Sequence, residues 1–145
     1  MSMFSGVSTQ DIEAIKRLKA RYCRTMDTKD WAAMRQVFTD DVEMDTTTSG
    51  GGVVTGADNF LSFLQDAIGD VVTVHHCHTP EIDVTENATA SGVWAMEDML
   101  RWPDGTELHG YGHYHETYEK ADGQWRIKRS VLTRLRMDIT PPATP

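Results

Sequence analysis

The chain has 145 residues, 39% of them hydrophobic and 25% charged, which fits one globular domain with a sizeable core. Its formal net charge of -8 argues against nucleic acid and anionic membrane surfaces as partners. Two cysteines are too few for a disulfide framework, no signal pattern opens the chain and no run reaches transmembrane length, so a cytoplasmic protein is expected.

Met1 to Val7 reads as a loose leader, and Ser8-Thr-Gln-Asp11 resembles a capping box that starts a first helix. Ile12, Ile15, Leu18, Tyr22 and Met26 recur at helical spacing and form its apolar stripe. Asp27 follows one residue past that stripe, where helix geometry alone leaves open whether it faces water or a pocket. Asp30 caps a short second helix that turns Trp31, Met34 and Val37-Phe38 to the core. A short strand over Val42–Asp45 leads to the polar loop Thr46–Gly52, which could gate a pocket. Val53-Val54 is a brief edge strand, and a third helix opening near Gly56-Ala-Asp58 carries Phe60, Leu61, Phe63, Leu64 and Ile68 on a broad buried face.

Strands then run through Val72–Cys77, Ile82–Val84, Ala88–Trp102, Glu107–Glu119 and Gln124–Met137, with turns at Pro103-Asp-Gly105 and Asp122-Gly123. In the first strand, alternation sends Val72, Val74, His76 and His78 to one face, and Thr73, His75 and Cys77 to the other. His76, sharing a face with valines, is the candidate proton shuttle. The pairs His76-Cys-His78 and His113-Tyr-His115 lack a carboxylate at a familiar ligand spacing, so no metal is expected. The Pro-rich end, residues 140–145, reads as a flexible tail on a single domain spanning 1–145, whose core runs from about 9 to 137.

Two-residue turns at both hairpins would place Asp98 opposite Tyr111, Met96 opposite His113 and Tyr111 opposite Arg134. One face would then carry Trp94, Met96, Asp98, Tyr111, His113 and Arg134, an apolar wall with polar groups set in it. Trp31 and Phe60 extend the expected substrate lining from the helices. Gly110 and Gly112 fit a bend in a curved strand.

Three segments carry a resemblance. Tyr22-Cys-Arg-Thr-Met-Asp27-Thr-Lys-Asp-Trp31, Phe38-Thr-Asp-Asp-Val42 and Asp122-Gly-Gln-Trp125 resemble the SnoaL-like branch of the nuclear transport factor two-like superfamily. The resemblance implies an α+β fold, a curved mixed or antiparallel sheet with three helices from the N-terminal half closing a conical cavity. In that branch scytalone dehydratase, bile-acid dehydratase and hexachlorocyclohexane dehydrochlorinase use an Asp–His dyad. By similarity the dyad falls on Asp27 and His76, with Tyr22, Asp98 and either Arg134 or Arg136 as further catalytic groups. A second histidine near Asp98 and a tyrosine near Met26, features of scytalone dehydratase, are missing here.

The implied activity is a cofactor-independent, dehydratase-like lyase acting on a hydrophobic ring-containing small molecule, in a homodimer or homotrimer. An isomerase-like proton transfer of the ketosteroid type, or a binding domain without catalysis, are the alternatives. Elimination needs a base for a carbon-bound proton and an acid for the leaving group. An imidazole oriented by a carboxylate is a competent base, and an arginine or tyrosine can stabilise a developing enolate where the substrate has an adjacent carbonyl.

Overall fold

The computed structural model describes residues 4–86 and 88–144. Helix α1 (Phe4–Asp27) is longer at its start than its capping-box signal implied. Ser8 lies within the helix, its side chain outside the described residues. Asp11 serves a different purpose from capping: it accepts a hydrogen bond from Trp125 Nε1 at 2.9 Å and tethers the helix to the sheet. Ile15, Leu18, Tyr22 and Met26 are buried along one stripe.

The end of α1 is sharply defined. Lys29 adopts a left-handed φ of 59°, and Asp30 N–H and Lys29 N–H reach back to the carbonyls of Thr25 and Met26. This closes the last turn as a Schellman motif. Asp30 then accepts from Ala33 N–H and opens α2 (Trp31–Arg35). Val37 and Phe38 lie past α2, and Phe38 begins strand β1 (Phe38–Asp45). The loop after β1 contains a 3-10 turn at Thr47–Ser49. Strand β2 (Val53–Thr55) and helix α3 (Ala57–Ile68) follow.

The remaining strands are β3 (Val72–Glu86), β4 (Thr89–Arg101), β5 (Glu107–Ala121) and β6 (Gln124–Thr140). The two segments expected at Val72–Cys77 and Ile82–Val84 are one strand. Its register shifts between His78 and Glu81, where Thr79 takes a φ of 41°. Pro80 is tolerated because β3 is an edge strand and the proline sits at the bulge.

The six strands form one curved sheet in the order β2-β1-β6-β5-β4-β3. It is mixed: β1 runs parallel to β6, and every other pair is antiparallel. The helices cover its concave face, giving the expected α+β layout. Phe38, Phe60, Tyr22 and Tyr114 meet edge to face between the layers. Deeper still, Lys19 and Glu116 form an ion pair of 2.8 Å with side chains 1% and 0% exposed. Ser130 and Tyr118 donate to the same carboxylate, and the Lys19 ammonium lies 3.7 and 3.6 Å from the ring centres of Tyr22 and Tyr114. That combination of partners is what permits a buried charge.

Candidate active site

Asp27 ends α1, where a carboxylate opposes the helix dipole and needs compensating donors. Three are present. Its Oδ1 accepts from Thr73 Oγ1 at 2.9 Å and meets His75 Nδ1 at 2.7 Å, while Oδ2 accepts from His75 N–H at 2.8 Å. Lys29, turned inward by the helix terminus, donates to Thr73 Oγ1 at 2.9 Å. An ionised carboxylate can only accept, so in the neutral imidazole the proton sits on His75 Nδ1. Nε2 is left to face a cavity of about 230 Å³ between the helices and the sheet, which His75 lines.

The expected partner of Asp27 was His76, and the structure corrects this by one residue. Strand alternation holds, but the buried face is that of Thr73, His75 and Cys77. Val72 and Val74 are exposed, and His76 shares their outer face, 6.2 Å from His78 between ring centres. The apolar character of the valines suggested the wrong side. β3 is an edge strand whose inner face is built from polar residues serving Asp27.

Opposite His75, Asp98 Oδ2 lies 4.0 Å from Nε2. Arg134 grips Asp98 with two hydrogen bonds, of 2.7 and 2.8 Å, and its Nε donates to Ser49 Oγ at 3.0 Å. Arg136 instead pairs with Asp138 in solvent. The Thr46–Gly52 loop is therefore attached to the site: Thr48 also donates to the Leu132 carbonyl at 2.6 Å. Tyr22 and Tyr114 add two phenols to the cavity wall. Burial pushes Tyr22 well above its ordinary range, Glu116 adding to the effect; burial does the same to Tyr114, with Tyr22 adding. Both stay protonated and available as donors. Phe60, Phe63, Leu64, Trp102 and Leu132 supply the apolar remainder.

The hairpin register explains which other expectations fail. The turn between β4 and β5 is a three-residue loop, Pro103-Asp104-Gly105, with Trp102 N–H bonded to the Thr106 carbonyl and Gly105 at φ 93°. This pairs Asp98 with Gly110 and Met96 with Gly112. A bulge between Thr117 and Tyr118, where Lys128 of β6 is the extra residue, shifts β5 again on β6, so Gly112 rather than Tyr111 faces Arg134. Tyr111 and His113 therefore point away from the cavity. Tyr111 stacks on His109 with ring centres 5.0 Å apart, and His113 neighbours His115. Trp94 is inward but in the core, donating to Tyr118 Oη at 2.9 Å. Met96 lies beneath Arg134, its sulfur 3.8 Å from Nη1, and Trp31 packs on the core rim; none of these five expected lining residues, Tyr111, His113, Trp94, Met96 and Trp31, borders the cavity.

His75 could have been found by asking which face of the strand offers partners to an acid, because Thr73 and His75 share one. Tyr114, Ser130 and Trp102 carried no sequence signal of their own. Among the described residues, no group of three or more His, Cys, Asp or Glu side chains gathers as metal ligands would, and no helix is long and apolar enough to cross a membrane.

Known proteins share this architecture. The "Probable cyclase FGR4" of Gibberella zeae is 24% identical over 146 aligned residues, covering 90% of this chain and 95% of that one. A Novosphingobium aromaticivorans protein whose name ties it to scytalone dehydratase superposes with a TM-score of 0.81 at 24% identity, covering 94% and 91% of the two chains. Hexachlorocyclohexane dehydrochlorinase LinA-type3 from Novosphingobium barchaimii superposes with a TM-score of 0.81 at 15% identity, over 94% and 96%. The family model for the SnoaL-like domain matches residues 7–131, and with this fold the chain belongs to the SnoaL-like domain family of the nuclear transport factor two-like superfamily.

Proposed function

We propose that the protein is a lyase that eliminates water, or a comparable leaving group, from a hydrophobic ring-containing small molecule, with His75 as the base. The observation that carries this reading is the position of His75. Its Nδ1 is bound to Asp27 at 2.7 Å, and its Nε2 is turned into a cavity with an apolar wall. Asp27 fixes the tautomer and stabilises the imidazolium that forms. Asp98, 4.0 Å from Nε2, supports the same positive charge from the other side.

In the reaction, Nε2 takes a proton from carbon next to an activating carbonyl. The C–H bonding pair becomes the new C=C bond as the C–O pair departs with the leaving oxygen. Tyr22, held protonated by burial, donates the proton that makes this oxygen water; returning the His75 proton to Tyr22 through solvent resets the site. Arg134 holds Asp98 in place through its two hydrogen bonds. Likenesses to a dehydrochlorinase, a protein named for a dehydratase and a cyclase, all below 25% identity, support the fold that frames this site.

The test is a set of cyclic β-hydroxy ketones followed by the absorbance of the conjugated enone. Wild-type protein is expected to turn over at least one of them, and Asp27→Asn to lose roughly 10³–10⁴-fold in rate with little change in KM. Turnover by His75→Gln equal to wild type would overturn the reading. Deuterium exchange from heavy water without loss of the leaving group would point to isomerase-like proton transfer, and binding without exchange to a non-catalytic pocket.

A further inference from the structure

We propose that Cys23 and Cys77 are a reversible disulfide-forming pair, a modification site that staples α1 to β3 when the protein meets a peroxide. The two sulfurs are already 3.5 Å apart, and no other thiol exists in the chain. A disulfide needs about 2.0 Å. Closing the remaining gap calls for a small rotation of two side chains on elements already packed together.

The position of the pair gives the bond a consequence. Cys23 stands four residues before Asp27 on α1, one turn up the same helix face. Cys77 stands two residues after His75 on β3, on the same strand face. The Cys23–Cys77 contact is therefore the next rung beside Asp27–His75. A covalent bond there would hold together the two elements that align the carboxylate and the imidazole. This inference does not depend on the proposed reaction, only on the geometry of the two rungs.

The chemistry is also set up. Both cysteines are partly exposed and line an open groove with Lys16, Lys19, His76 and His78, which admits a small oxidant. The hydrogen bond from Cys77 holds the Cys23 thiol below its ordinary range, and Lys19 adds to this. Cys23 is thus the attacking sulfur. Its thiolate displaces hydroxide from the peroxide O–O bond and becomes a sulfenic acid. Cys77 is held protonated by its hydrogen bond to Cys23 and then by burial, and the first of these is lost once Cys23 is sulfenic. The Cys77 sulfur then attacks Cys23; the S–S bond forms, the S–O bond breaks, and hydroxide leaves with the Cys77 proton as water. One peroxide is reduced to two waters, and two thiols are oxidised.

The experiment treats the full chain with hydrogen peroxide, then denatures it, alkylates free thiols and maps the peptides. The expected result is one intramolecular Cys23–Cys77 peptide pair, no alkylation, reversal by dithiothreitol and a rise in Tm of roughly 5–10 °C. Cys77→Ser should instead stop at a sulfenic acid on Cys23 that dimedone traps. Alkylation of both thiols after peroxide, cross-links between chains, or a disulfide that forms with a fall in Tm would each overturn the proposal.

Discussion

Gly110 owes its place to a contact between two other residues. It lies opposite Asp98 on β4, and a Cβ there would land on Arg134 Nη1 and Asp98 Oδ1. The missing side chain is the lane through which the guanidinium crosses from β6 to β4. Gly112 is different, because its Cβ would meet the Thr133 carbonyl, which is backbone and cannot swing aside. Gly110→Ala is therefore expected to cut turnover at least tenfold while costing about 1–2 kcal/mol of stability, since ends of side chains can move. Gly112→Ala should cost more than that and lower Tm further. Kinetics and melting curves on the two variants check the split; equal losses in both would contradict it.

At the scale of elements, turns decide which side chains reach the cavity. Asp122 and Gly123 both have positive φ, 53° and 75°, and form the tight turn expected from their sequence. Pro103-Asp104-Gly105 carries one residue more than a tight turn. Deleting Pro103 would leave Asp-Gly between Trp102 and Thr106, a sequence suited to a two-residue turn, without altering their pairing. The deletion is expected to keep Asp98 opposite Gly110, retain activity and cost only about 1 kcal/mol. Cross-strand nuclear Overhauser contacts between Asp98 and Gly110 would verify the register. Their loss, with activity, would mean that the proline sets the pairing.

Across the whole molecule, buried ionisable groups link the layers. Glu116 answers Lys19, Ser130 and Tyr118 together, so Glu116→Gln leaves a buried ammonium without its counter-charge. A loss of about 3–5 kcal/mol in denaturant unfolding is expected, reduced when Lys19→Met is combined with it. The tyrosines set a limit at high pH. Tyr22 and Tyr114 are raised well above their ordinary range, mainly by burial. Groups raised in the folded state contribute fully below their unfolded pKa, near 10, and lose that contribution as pH climbs toward the folded value. Above pH 10 the unfolded phenols ionise while the folded ones cannot. Stability should fall by roughly 1.4 kcal/mol per pH unit for each, and Tyr22→Phe should make the decline shallower. A flat profile of unfolding free energy between pH 10 and 11.5 would refute this.

The sequence by itself determined the elements and their class. The 3.6-residue stripe of α1, the alternation of β4 and the Asp122-Gly123 turn follow from local geometry and from which side chains avoid water, and the segments around Asp27 carried the family. Tyr22, Asp98 and Arg134 stood at positions the pattern turns inward, whereas Asp27, one residue past the helical stripe, entered the set only through the family resemblance. The tertiary structure alone decided which histidine joins them. A strand has two faces, and a one-residue change in register or in the choice of buried side exchanges every side chain on it. On β3 the valines pointed to the wrong side, since Thr73 and His75 are buried by their hydrogen bonds to Asp27, forty-six and forty-eight residues away, rather than by their own hydrophobicity. On β5 a three-residue turn and a bulge, each adding one residue, turned Tyr111 and His113 outward and put glycines in their place. Hydrogen bonds between distant residues and the count of residues in a loop are settled only when the chain closes on itself, which is why the cavity had to be seen folded.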